Sequence, residues 1–198
     1  MSDVSIFSES VVDIMCEFIE VVLHQFFYFT GYYKHVYFER RTKYGVIAYM
    51  NRVPEVLLYV KNLIQSIQPW MMRKEFQAMR LSIVTIEGTE LVSLLLKHTN
   101  NVLCQEETID YQRLEASLRN SLLAITSSIP KVSLPDNVTL SVDVDVLEDS
   151  AAKITSGWSL CAASPNPLPL LQQDSSKKVY PLSTVFAGTS CFQLICAV

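Results

Sequence analysis

The chain has 198 residues, of which 49% are hydrophobic and only 18% charged, and a net charge of −4. That length can bury one large core. The apolar surplus needs a core or a partner to cover it, and the acidic balance excludes a global field that would draw in DNA or RNA.

The first residues lack the basic region and small-residue cleavage site of a secretory signal. The most apolar stretch, 21–29, carries His24 and Gln25 and falls short of a bilayer span, so no membrane role is expected. The cysteines are Cys16, Cys104, Cys161, Cys191 and Cys196, an odd number without a C-x2-C pair. They read as reduced, mostly buried thiols in cytosol or nucleus rather than a zinc site.

In chain order, the spacing predicts a helix over 11–29, apolar around most of its circumference and therefore central. Asp13, Glu17, Glu20 and His24 share one face and read as its wet seam. After Gly31 comes an aromatic and basic run, 32–44, read as a structural loop. Pro54-Glu55 opens a second helix, with Val56, Val60, Leu63, Ile64 and Ile67 at helical spacing and Pro69 as its stop. Residues 80–87 and 90–96 read as two strands joined at Gly88-Thr89, and 100–108 as a polar loop. A third helix is expected over 110–128, ended before Pro130. Residues 137–147 alternate between Val138, Leu140, Val142, Val144 and Val146 inward and Thr139, Ser141, Asp143 and Asp145 outward, the pattern of a half-buried antiparallel strand. A small polar stretch, 148–157, precedes Trp158, and 164–178 is an irregular, proline-rich excursion. Two strands, 179–186 and 191–197, close the chain around Ala187-Gly188-Thr189. Helices and antiparallel strands in this order make an α+β fold in a single domain.

Little here could carry chemistry. Glu17, Glu20 and His24 are metal-type residues, but no other predicted helix carries the matching acids and Glu-x-x-His pair of a di-metal site. No nucleophile elbow, zinc-protease motif or phosphate-binding glycine loop is present. Cys16 lies among apolar neighbours as a core thiol. The run 34–44 could stack on a single strand, but Glu39 interrupts it in an acidic protein. No enzyme activity, metal, cofactor or direct nucleic-acid contact is expected. Trp158 stands outside any apolar periodicity, and its placement leaves two roles open: a plug tying a loop to the core, or an anchor for a partner.

Cys16-Glu17-Phe18-Ile19-Glu20-Val21, His24, Tyr28, Tyr33, Phe38, Arg40-Arg41, Lys43-Tyr44, Pro54-Glu55 and Tyr59 together resemble the N-terminal half of the HORMA-domain family. Within it they are most similar to the mitotic arrest-deficient-like B type, the accessory subunits of translesion DNA polymerase zeta. Val179-Tyr180-Pro181-Leu182 and Phe192-Gln193-Leu194 are similar to that family's closing hairpin. The resemblance implies three helices on an antiparallel sheet, a core over 1–147 and a C-terminal safety belt with closing hairpin over 148–198. The belt would trap a partner peptide that adds a strand to the sheet. Tyr59 and Trp158 would then grip a peptide of the polymerase's catalytic subunit. Val179, Gln193 and Ile195 would dock the translesion scaffold, a deoxycytidyl transferase, and Arg119 would lie on a HORMA–HORMA dimer surface. The resemblance also implies a nuclear protein, with cytoplasm and spindle as further sites. Lys34 stands where the family usually has proline, the excursion 161–178 is longer than the family pattern, and Ile195 replaces an aromatic. The competing readings are a spindle-checkpoint HORMA protein with a mitotic ligand, a small α+β enzyme, and a direct single-strand binder.

Overall fold

The structure is a computed structural model, and residues 9–100, 109–129, 133–147, 158–159, 178–187 and 190–198 are described. The loop expected after residue 100, Cys104, Cys161, Pro130, the stretch 148–157, the excursion up to 177 and Gly188-Thr189 lie outside the described residues.

Helix α1 (Glu9–Thr30) is central for the reason its composition gives. Phe18, Phe26 and Phe27 are fully buried, as are Ile19 and Leu23. Each such side chain contributes about 1.5–3 kcal/mol of hydrophobic stabilisation. A hairpin follows, β1 (Phe38–Lys43) and β2 (Val46–Asn51), where a structural loop was expected. Its turn is Tyr44-Gly45, with φ of 49° and 74°, the two positive values that match the twist of a two-residue hairpin. Strand β1 is almost wholly exposed, so charged residues fill it and no apolar alternation marks it.

Helix α2 (Pro54–Met72) runs through Pro69 instead of stopping there. Proline forfeits one hydrogen bond in the last turn, while Trp70 and Met71, both buried, hold that turn to the core. Strand β3 (Phe76–Thr85) begins at Phe76 rather than Arg80, and β4 (Glu90–Asn100) continues past residue 96. Helix α3 (Tyr111–Ser128) is capped by Asp110, whose carboxylate accepts the amides of Gln112 and Arg113.

Strands β5 (Val138–Val146), β6 (Val179–Ala187) and β7 (Ser190–Ala197) complete an antiparallel sheet of order β5-β3-β4-β7-β6. One sheet face joins the three helices in a single core through Met79, Leu81, Ile83, Leu94, Leu96, Val185 and Leu194. The valines and Leu140 of β5 pack on that core as expected. Ser141, Asp143 and Asp145, expected outward, are half-covered rather than exposed. The fold is therefore α+β, three helices on an antiparallel sheet.

The sheet's two edges differ. Lys178 and Val198 exchange both backbone hydrogen bonds, so alternate residues of β6, including Pro181, aim their backbone groups away from β7. Proline has no N–H there, and the ladder shifts register between Pro181 and Ser183.

Candidate functional site: the open sheet edge and its flanks

The Leu147 amide donates to the Glu75 carbonyl beside β3. In an antiparallel ladder, Asp145, Asp143, Ser141 and Thr139 then also face β3, while Val146, Val144, Val142 and Leu140 present N–H and C=O groups to the other side. Among the described residues β5 has no strand on that side. It is an open edge about 20 Å long from Leu140 to Val146.

Aromatic residues flank both ends. At the first, the Leu140 amide donates to the Tyr32 hydroxyl at 3.2 Å. Tyr32 packs edge-on against Tyr33 (ring centroids 4.9 Å) and at a tilt against Phe27 (6.0 Å). Tyr59, on α2, lies beside this pair, and burial with Tyr32 nearby raises its hydroxyl's pKa. It is nonetheless 42% exposed. At the other end Trp158 packs on Trp70 with centroids 5.7 Å apart. The Trp70 carbonyl accepts the amide of Glu75, which places the pair next to the start of β3 and the end of β5. Tyr59 and Trp70 are three helical turns apart on nearly the same face of α2. The structure thus sets Tyr59 and Trp158 along one helix, at opposite ends of the edge and out of contact with each other.

The other candidates lie elsewhere. Val179, Gln193 and Ile195 share the face of the β6–β7 hairpin that points away from the helices. Val179 pairs with Ala197 and Ile195 with Pro181, and Gln193 is exposed. Arg119 is outward on α3 as expected, but it also has an internal role. Its Nε donates to the Tyr44 carbonyl at 2.8 Å and its Nη2 approaches Glu115 at 3.4 Å.

His24 corrects the reading of a wet seam. It is fully buried because the unforeseen hairpin covers that side of α1. Its Nδ1 accepts the Asn51 amide at 3.4 Å, Gln25 donates to the Tyr49 carbonyl, and Nε2 has no hydrogen-bond partner among the described residues. Burial lowers its pKa to about 4. Glu17 instead pairs with Lys43 of the hairpin at 2.6 Å. Among the described residues no cluster of His, Cys, Asp and Glu could hold a metal, and no helix is long and apolar enough to cross a membrane. Burial raises the Cys16 thiol to about 12, which keeps it protonated and inert.

Sequence reasoning missed Tyr32, Tyr33 and Trp70. The tyrosine doublet directly after the helix-ending Gly31 was a usable signal. Trp70 was masked by the proline before it.

No known family model matches this chain. Over 81 residues it is 30% identical to the mitotic spindle assembly checkpoint protein MAD2B of Danio rerio, and 28% identical to that of Homo sapiens. Those matches span 41% of this chain and 38% of each relative, so less than half the relatives' length is covered. Solved structures agree over far more of the chain. A chain of a mitotic checkpoint complex superposes with a TM-score of 0.78 at 19% identity, covering 96% of this chain and 98% of that one. Caenorhabditis elegans (C. elegans) HTP-2 bound to a HIM-3 closure motif gives 0.69 at 10% identity, covering 94% and 89%. With three helices on a sheet ordered as above, the chain has the HORMA fold, and part of its length is similar in sequence to MAD2B.

Proposed function

We propose that this chain is a non-catalytic adaptor that captures an extended peptide of a partner as an added strand on the outer side of β5. The observation that carries this reading is the open edge from Leu140 to Val146, with Tyr32, Tyr33 and Tyr59 at one end and Trp70 with Trp158 at the other. Main-chain hydrogen bonds supply affinity at such an edge and the flanking rings supply selectivity. Strands β5 and β6 occupy opposite edges of the sheet, so the chain between them passes from one edge to the other, and Trp158 lies on that path. The expected safety belt over 148–157 and 160–177 lies outside the described residues; a belt closed over a peptide on β5 would make its escape slow.

The partner in this reading is the catalytic subunit of translesion DNA polymerase zeta, supported by the likeness to MAD2B and the motifs from Cys16 to Tyr59. The hairpin face with Val179, Gln193 and Ile195 would receive the translesion scaffold deoxycytidyl transferase, and the protein would work in the nucleus. A second reading, a spindle-checkpoint adaptor, draws on the fold shared with a chain of the mitotic checkpoint complex.

Affinity purification separates the two: a large polymerase subunit co-purifies in the first case, a mitotic regulator in the second. The grip itself is tested by binding kinetics with a peptide of the polymerase catalytic subunit. Trp158→Ala and Tyr59→Ala should each weaken binding by about 2 kcal/mol, roughly thirty-fold, mostly through faster dissociation. Because Trp158 also touches Trp70, a plug role predicts something different: a sharp fall in melting temperature without peptide, and unchanged peptide dissociation. That pair of results would remove Trp158 from the site.

A further inference from the structure

The Tyr32 hydroxyl occupies a position that a neighbouring strand would otherwise fill. Of the five residues that turn their backbone groups outward on β5 (Val138, Leu140, Val142, Val144 and Val146), only Leu140 has its amide satisfied by another described residue, and the acceptor is this hydroxyl at 3.2 Å. The ring cannot swing there by accident. It packs against both Phe27 and Tyr33, follows the end of α1, and is half-buried against the core. Leaving that amide unpaired would incur a desolvation cost, so the hydroxyl has a reason to stay.

We propose that Tyr32 is a strand mimic that terminates the edge and sets the register of any added strand, an inference that rests on β5 being the capture edge. With the Leu140 amide already taken, the amides left for an incoming peptide between Tyr32 and the Trp70 end of the edge are those of Val142, Val144 and Val146. A peptide reaching further meets the Tyr32 ring instead of a backbone partner. It must therefore leave the sheet at Val142, where its side chains meet Tyr33 and Tyr59. Tyr32 thus acts as a positioning residue that decides which peptide residue faces which pocket. Without it, a strand could slide along a ladder whose side chains are nearly all valine.

The test is amide hydrogen exchange on the full chain, wild type and Tyr32→Phe, with and without the polymerase-subunit peptide and a version lengthened by two residues at the end nearest Tyr32. Phenylalanine keeps the ring packing and removes only the acceptor. Without peptide, Leu140 exchange should rise about tenfold in the variant while Val142 is unchanged. With peptide, Val142, Val144 and Val146 should slow in both proteins, and Leu140 should become peptide-dependent only in the variant. The lengthened peptide should bind the variant at least about threefold tighter than the shorter one and gain nothing with wild type. Equal gains in both proteins, or Leu140 exchange indifferent to the hydroxyl, would overturn the inference. If peptide binds but slows none of the outward amides, β5 is not the capture edge and the register role falls with it. The peptide-free Leu140 comparison still separates that failure from a failure of the hydrogen bond itself.

Discussion

Protonating His24 should destabilise the fold, by an amount the structure lets one work out. The imidazole is fully buried, its Nδ1 already accepts the Asn51 amide, and Nε2 faces no acceptor among the described residues. Nothing there would stabilise a cation, and burial takes the pKa from 6.5 to about 4. A histidine with a depressed folded pKa binds its proton more readily when unfolded. Stability is therefore complete above the unfolded pKa of 6.5, falls as pH drops below it, and levels off below about 4. At about pH 5 the gap of roughly 1.5 pH units costs about 2 kcal/mol, rising to about 3 kcal/mol near pH 4. Against a total stability of about 5–15 kcal/mol, that is a large fraction. The assay is urea unfolding of wild type and His24→Leu at about pH 7.5 and pH 5. Leucine loses the weak bond to Asn51 at both pH values, so only the difference between pH values is compared. The other titrating groups, buried His98 among them, are common to both proteins and cancel. Wild type should lose about 2 kcal/mol more than the variant between the two pH values. An identical pH dependence would mean that His24 is protonated in the fold without penalty, and the buried-neutral assignment would be wrong.

Gly45→Ala should cost about 1–2 kcal/mol in the same unfolding assay. Its φ is +74° and a Cβ would sit 3.2–3.3 Å from the Arg119 guanidinium; an unchanged midpoint would refute the turn geometry. Arg119→Ala should lower stability by about 1 kcal/mol through the lost bond to the Tyr44 carbonyl, discounted for exposure. If Arg119 also lies on a self-association surface, sedimentation should show the variant more monomeric than wild type; the same weights with a lowered melting temperature would confine it to the internal role.

The three helices were legible because periodic apolar residues, Pro54 and Asp110 mark them locally. The sheet's order was not, since pairing β4 with β7 joins residues far apart in sequence, and single-strand patterns carry no record of neighbours. One omission produced another. Strand β1 shows solvent to nearly every residue, so Phe38-Glu39-Arg40-Arg41-Thr42-Lys43 reads as charged loop. Without the hairpin, nothing was available to cover the side of α1 that holds His24, and the face it shares with Asp13, Glu17 and Glu20 was taken as wet. The Tyr44-Gly45 pair between two six-residue runs was the overlooked clue. At the site, Tyr59 and Trp158 entered through family resemblance. What joins them to an edge is the alternation of backbone groups on β5, which side-chain chemistry does not encode.

Pro181 has a consequence for the protein as a solute. A sheet with two open edges could grow from both sides, one copy adding to the next without limit. On the β6 side, a missing N–H and a shifted register make a poor template, so copies cannot stack there. The β5 side, where valines alternate with short polar residues and no proline intervenes, remains a good one. Within the described five-stranded sheet, aberrant pairing between copies is then limited to β5 against β5, which ends at a pair rather than a fibre, and this sheet's tendency to clump reduces to how long one edge stays uncovered.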